Sequence, residues 1–567
     1  MISEGGGVFP RSAKSIPLSP QVRRVLAIDD ESLTPHEVVR AILRAPVDLL
    51  WNGGIGTYVK SGAETHADAG DKANDGVRVD ATQLRARVVA EGGNLGFTQR
   101  GRVEYALAGG RIHTDAIDNS AGVDCSDHEV NIKVLLDTVV TDGELTGKQR
   151  DRLLAGMEAD VAAMVLRDNY DQTAALANAL AQSGPMVDVH ARYLRRLEAD
   201  GKLDRALEFL PSDEVLAQRR SHGAGLVAPE FAVLLAYTKI DVAAQLLASD
   251  VPEDPWLGRE LTAYFPPPLS DERFADAMGR HPLRREIVAT RVTNRLVDRA
   301  GTSFVYRLSE ETGAGAPELA RAHAAAREIF ALEEVWAAIE ALDNQVEAAT
   351  QRAMVLDVRR LADRATRWLL RHRPGALDVA AGIAEFAPGA AAVADLLPDL
   401  LSAADSQALA AAAGSWDEAG VPADLANRIA ALRFLSPALD VVDVGQRLGR
   451  PVEVVGAVYF ALGARLELDW LSARIEVLPR DDRWQTLARA ALRDDWAALR
   501  ATLTAEVLAP GGASGASGVE GVVESWIAGH RTAAERFLLV LDDIRGVANP
   551  DLSTLSVAVR EARALVG

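Results

Sequence analysis

The chain changes rhythm near residue 145, and that change restricts its fold more than any other feature. Upstream, short β-type runs alternate with helix patterns, the order expected of βαβ units around a parallel sheet. Downstream, Ala, Leu and Arg recur at helical spacing, with breaks at Ser183-Gly184-Pro185, Pro266-Pro267-Pro268 and Arg373-Pro374-Gly375. The expected fold class is therefore α/β followed by all-α. We divide it into 1–145, a helical region at 146–310, and a helical C-terminal region at 311–567. A chain of 567 residues is too long for one hydrophobic core, so about two to four domains are expected.

Within the first region, Thr34-Pro35-His36-Glu37 reads as a capping box with proline in the first helical turn, and Val38, Val39, Ile42 and Leu43 supply an apolar face. Ala45-Pro46 ends that helix. Val47–Trp51 reads as a buried strand opening into Asn52-Gly53-Gly54-Ile55-Gly56, and a polar loop from Ser61 to Gly76 leads towards a second strand, Arg87–Ala90, which runs into Glu91-Gly92-Gly93-Asn94. A helix over Gln99–Leu107 and a third strand through Ile112 to Ile117 follow, ending at Asn119. Farther on, Glu318 to Arg371 places Ile329, Leu332, Trp336, Ile339, Leu342 and Val346 on one stripe, as in long helices packed as a hairpin or arm. Gly511–Gly518 reads as a flexible connector.

Charge and cysteine content exclude several functions. A formal net charge of −20 repels nucleic acid and anionic lipid. Cys125 is the only cysteine, so neither an intrachain disulfide nor a cysteine-based zinc site can form, which suits a cytoplasmic protein. No run of roughly 20 apolar residues suggests a membrane span. No lysine follows Lys239, so any lysine chemistry lies early in the chain or outside it.

Three segments share one plan, a strand whose carboxyl end opens into small and amide residues: Asn52 to Gly56, Glu91 to Asn94, and Asn119 to Ser126. In an open α/β sheet the ligand crevice lies outside the carboxyl ends of the strands, so the three loops should line one site. Glycine lets backbone approach a flat ring, and asparagine offers both donor and acceptor. The plainer reading is that Asn-Gly and Gly-Gly are turn chemistry. Ser126, with Glu129 three residues on, also fits a helix N-cap, a role compatible with carboxylate binding because a helix N-terminus attracts anions. Asp124, Cys125, Asp127, His128 and Glu129 invite a metal reading, but consecutive residues opening a helix point in different directions, so no metal is expected.

The order Val-Asp-Leu-Leu, then Val-Val-Ala-Glu-Gly-Gly-Asn, then Asp-Asn-Ser-Ala-Gly-Val-Asp-Cys-Ser-Asp-His-Glu resembles the closing half of the glutamate dehydrogenase nucleotide-binding domain. The strings Leu50–Lys60, Gly92–Gln99 and His281–Ile287 are similar to the large bacterial NAD-dependent members. The resemblance implies an incomplete Rossmann-like parallel sheet, strands four to six of the order 3-2-1-4-5-6, followed by a long helical extension. It implies NAD as cofactor, with Asn94 and Asn119 at the nicotinamide end and Gly53, Gly54 and Gly93 lining it. Val123 and Ser126 match the floor of the amino-acid pocket, where the serine hydroxyl meets the substrate side-chain carboxylate. Gly93 stands where the family has alanine, and Ser120-Ala121 where it has Ala-Gly.

The implied reaction converts L-glutamate, NAD and water to 2-oxoglutarate, ammonia and NADH. It needs a polarising lysine and a Gly-rich pyrophosphate turn, which in the family lie upstream of the segment matched here. No residue of this chain is therefore assigned a catalytic role, and the chain alone is expected to be inactive. Its expected partners are glutamate or 2-oxoglutarate, together with further copies of itself or an upstream complementary segment. The alternative is a non-catalytic helical module for assembly or regulation.

Overall fold

A computed structural model describes residues 2–480, 482–509 and 518–566, which form two compact units, Met1–Ser303 and Phe304–Gly567. Most of the connector expected at Gly511–Gly518 lies outside the described residues, and a helix begins at Gly518.

The first unit opens on two short strands, β1 (Ile16–Pro17) and β2 (Ser32–Leu33), paired antiparallel around helix α1 (Pro20–Leu26). Helix α2 (Pro35–Leu43) starts where the capping chemistry predicts. The Glu37 backbone N–H donates to Thr34 Oγ1 at 3.4 Å, and the Thr34 N–H donates to Glu37 Oε2 at 2.9 Å. Strand β3 (Leu49–Asn52) then pairs in parallel with β6 (Val88–Glu91), Leu49 opposite Val88 and Asn52 opposite Glu91. Between them lies a second parallel pair, β4 (Val59–Lys60) with β5 (Val79–Asp80), inside a stretch read from sequence largely as loop. Helix α3 (Gln99–Leu107) spans its expected residues and packs Tyr105 into a core of Val59, Val79, Ala81, Val89, Phe97 and Ile112.

Two expectations for this region are corrected. The strand at Val47–Trp51 is not buried: Leu49 is 54% and Trp51 61% exposed, and among the described residues β3 pairs with β6 alone. The third strand shrinks to one parallel bridge, Val88 with Arg111, in which the Val89 N–H donates to Arg111 O and the Arg111 N–H donates to Arg87 O. Asp115–Asp118 is instead a short helix, α4, followed by the long α5 (Ser120–Thr141), then α6 (Gly147–Gly156) and α7 (Glu158–Ala181).

The second unit is helical throughout its described residues. The expected apolar stripe is present, with Ile329, Leu332, Trp336, Ile339 and Leu342 buried. It runs over three helices, Ala316–Ile329, Leu332–Glu340 and Ala348–His372, of which the last is long. Ala331 breaks the first junction by adopting a φ of 47°, which no right-handed helix tolerates. Helix Val379–Leu400 corrects another expectation, being long and apolar enough to cross a membrane by length and composition. It carries Pro388 and Pro398 and buries Phe386, Ala390, Val393 and Leu397 along one face within this unit. The fold is thus mixed α/β followed by helix, as the change of rhythm predicts.

Candidate functional site

The carboxyl ends of β3 and β6 are brought together by backbone. Asn52 O accepts from the N–H groups of Gly92 and Gly93 at 2.9 and 3.1 Å, joining the two glycine loops. A Cβ on Gly93 would stand 2.6 Å from Gly54 O, so only glycine permits this approach without a shift. Gly53 and Gly54 lie beyond the strand end as predicted, both exposed. Asn52 Nδ2 is buried without a hydrogen-bond partner.

Carboxylates set the shape of the second loop. Glu91, fully buried, receives Arg102 through both oxygens, at 2.7 and 2.9 Å, and accepts the Phe97 N–H at 3.0 Å. Burial pushes its pKa up, against the lowering effect of the Arg102 fork and the Phe97 N–H. Arg102 also pairs with Asp115 at 3.1 Å, whose other oxygen accepts the Leu95 N–H at 2.7 Å. Asp118 accepts the Glu91 N–H at 3.0 Å. Leu95 is held with a φ of 58°, a conformation unfavourable for a side chain with a Cβ, next to the exposed Asn94.

Asn119 joins α4 to α5, and its Nδ2 donates to Asn94 Oδ1 at 3.1 Å. Asn169, on α7, donates to Ile117 O at 2.8 Å and to Ser120 Oγ at 2.9 Å, fastening the chain on both sides of Asn119. Helix α5 therefore starts at Ser120, so Ser126 is not its N-cap; Ser126 Oγ donates weakly to Gly122 O at 3.3 Å. Asn119, Val123 and Ser126 fall four and three residues apart and so share one face at the start of α5. Val123 is 77% exposed, an apolar side chain offered to solvent beside polar neighbours.

Among the described residues, Asp124, His128 and Asp168 form a group of possible metal ligands, with their ligand atoms within 4.8 Å of one another. Asp124 and His128 are a turn apart and share a face, whereas Asp127 accepts from the Tyr264 hydroxyl at 2.7 Å and Glu129 pairs with Lys133. Arg291 stands 3.6 Å from Asp168, so a cation is already in place. Burial, then Asp168 and Asp127, push the Asp124 carboxyl up to about 6, and burial pushes the His128 imidazole down. Sequence reasoning missed Asp168 and Asn169, which lie far along the chain on a helix carrying no motif.

Residues 1–179 match the catalytic domain family of bacterial NAD-glutamate dehydrogenase, and residues 223–564 match the family described as glutamate dehydrogenase, C-terminal. Over 99% of its length the chain is 46% identical to an NAD-specific glutamate dehydrogenase of Pseudomonas aeruginosa, 45% to one of Halomonas elongata and 43% to one of Mycobacterium tuberculosis. It spans about a third of each relative, 34, 34 and 35% respectively. The two family matches and the whole-chain similarity together show that the chain belongs to the large bacterial NAD-dependent glutamate dehydrogenase family.

Proposed function

We propose that this chain supplies the second half of the NAD-binding domain and the floor of the glutamate pocket in an enzyme converting L-glutamate, NAD and water to 2-oxoglutarate, ammonia and NADH. The observation that carries the reading is the Asn94–Asn119 amide pair standing beside the Gly54–Gly93 backbone contact. A nicotinamide carboxamide needs both a donor and an acceptor, and the two asparagines present both. The close-packed glycines leave a surface with no Cβ to hold a flat ring away, and Asn52 Nδ2, beside Gly96, is a donor without a partner among the described residues. These residues fit NAD, which when bound supplies the hydride acceptor. Val123 and Ser126, on the same face of α5, would receive the apolar stem and the distal carboxylate of glutamate.

The pyrophosphate turn and the polarising lysine belong, in this reading, to additional polypeptide. Lys60, Lys133 and Lys239 are engaged by Asp80, Glu129 and Asp298. The sheet is then the closing half of a Rossmann-like domain, the region from 146 onward is the helical extension, and the assembly acts in the cytoplasm as an oligomer. The test is twofold. NADH fluorescence is titrated against the chain and its Asn119→Ala variant, and glutamate oxidation is assayed for the chain alone and with the upstream segment of a relative. Activity only in the mixture, lowered by Asn119→Ala, supports the reading. No activity and no NADH binding in any mixture favours a helical module instead.

A further inference from the structure

The second unit contains a cavity of about 800 Å³ lined by residues of seven helices, within the range of small-molecule sites. Its walls include the rings of Trp368, Trp416, Phe434 and Trp496. Many charges around it cancel one another: Arg371 pairs with Asp494 at 2.5 Å, Arg500 with Asp469 at 2.7 Å, and Arg364 with Glu476. Three polar groups on the lining are not used up in this way.

Arg433 is exposed on the lining, its guanidinium 4.8 Å from the Phe434 ring; it makes no close ion pair among the described residues and acts only at longer range on Asp357, which pairs with Arg360. Tyr459 is only 3% exposed as a residue, with its ring under the Arg500 guanidinium at 4.6 Å, and its hydroxyl is not among the buried polar atoms that lack a partner, so it opens on the cavity. Asp440, 5% exposed, accepts the Trp368 indole N–H at 2.7 Å through Oδ1, which leaves Oδ2 for another donor. A phenol hydroxyl that opens on a cavity without a protein partner can donate to an acceptor placed there. An exposed guanidinium outside any close ion pair favours an anion, and flat indole walls favour a flat ring.

We propose that this cavity binds a small heteroaromatic ligand with an anionic tail. The ring lies among the tryptophans, with a ring N–H or O–H donating to Asp440 and a ring acceptor receiving the Tyr459 hydroxyl. The tail reaches Arg433. An aromatic carboxylate and a nucleoside monophosphate share this chemistry, and the experiment separates them.

The whole chain is titrated calorimetrically, and by tryptophan fluorescence, with indole-3-acetate and with adenosine 5′-monophosphate. Adenosine serves as the uncharged ring and inorganic phosphate as the charge without a ring. Saturable binding of one anionic probe, at least tenfold tighter than either control, is expected. Arg433→Ala should weaken that probe at least tenfold and leave adenosine unchanged, while Tyr459→Phe should weaken both. Arg433 is exposed, so its variant keeps the test valid if Tyr459→Phe does not fold. The proposal is overturned if neither probe saturates at millimolar concentration, or if Arg433→Ala binds as the parent does. It is also overturned if binding falls in Asn119→Ala instead, which would move the ligand to the N-terminal loops.

Discussion

Asn169 straddles Asn119, donating to the carbonyl two residues before it and to the hydroxyl of the residue after it. The side-chain amide of Asn119 is thereby aimed at Asn94 rather than left to rotate, although Asn94 is exposed and Asn119 only half-buried. A single hydrogen bond of this type is worth about 0.5–1.5 kcal/mol. In an active assembly, Asn119→Ala should therefore raise the KM for NAD by roughly two- to tenfold. Ser126→Ala should raise the KM for glutamate by a similar factor and leave that for NAD unchanged. Steady-state kinetics with each substrate varied separately checks this, and equal effects of both variants on both constants would contradict the assignment.

Gly93 offers a second test because its lack of a Cβ is what lets the two loops approach. The added Cβ would meet Gly54 O at 2.6 Å, so the β3 and β6 loops must separate. Overpacking of this kind costs about 1–3 kcal/mol. We expect Gly93→Ala to lower the urea midpoint and weaken NADH binding together. An unchanged midpoint would mean that the loops yield without cost.

The buried Glu91–Arg102 fork holds the same loop from below. Removing one partner strands the other charge in the interior, a loss of about 3–5 kcal/mol. Arg102→Met should therefore lower the thermal midpoint sharply, and the Glu91→Gln, Arg102→Met double variant should recover part of the loss. A double variant less stable than Arg102→Met would show that the fork does not act as an isolated pair.

How much of this was legible depended on how local the physics is. The Thr34 cap, the α3 boundaries and the two glycine loops depend on contiguous residues, and they stand as read. The third strand did not, because Asp115 and Asp118 accept the N–H groups of Leu95 and Glu91, and a helical turn brings both carboxylates to them. Ser126 lost its capping role for a similar reason: Asn169, from a distant helix, helps fix the chain where α5 starts. The pairing of β4 with β5 was invisible because each strand has two residues, too few to show a period.

Asp440 gives the second unit a distinctive pH response. Burial raises its carboxyl from the ordinary range to about 6, only partly offset by the Trp368 N–H. A carboxyl whose pKa is raised on folding favours the folded state while protonated. That contribution is complete below about pH 4 and is lost as pH rises through 6. Asp440→Asn keeps an acceptor for Trp368 without the charge, so it should stabilise the protein by up to ~3 kcal/mol at pH 7 and little at pH 4. Denaturant melts at the two pH values decide it. A variant less stable than the parent at pH 7 would show that the ionised carboxylate is held favourably.

The last prediction concerns the bare side of β3. Its backbone pairs with β6 on one side only, and the exposed Leu49, Trp51 and Ile55 stand at or just beyond it. Natural edge strands protect themselves with charge, proline or a bulge, and Leu49–Asn52 has none of these. An unpaired parallel strand beside exposed apolar side chains is a template for another chain, so the purified protein should self-associate through this edge. Leu49→Lys with Ile55→Glu places a charge on the strand and another just past it, 54 and 91% exposed in the parent, where they cost little folding energy. Light scattering across a concentration series should show association in the parent and a clear reduction in the double variant, with the circular dichroism spectrum unchanged. If both proteins keep the same mass at every concentration, the edge is not the adhesive surface.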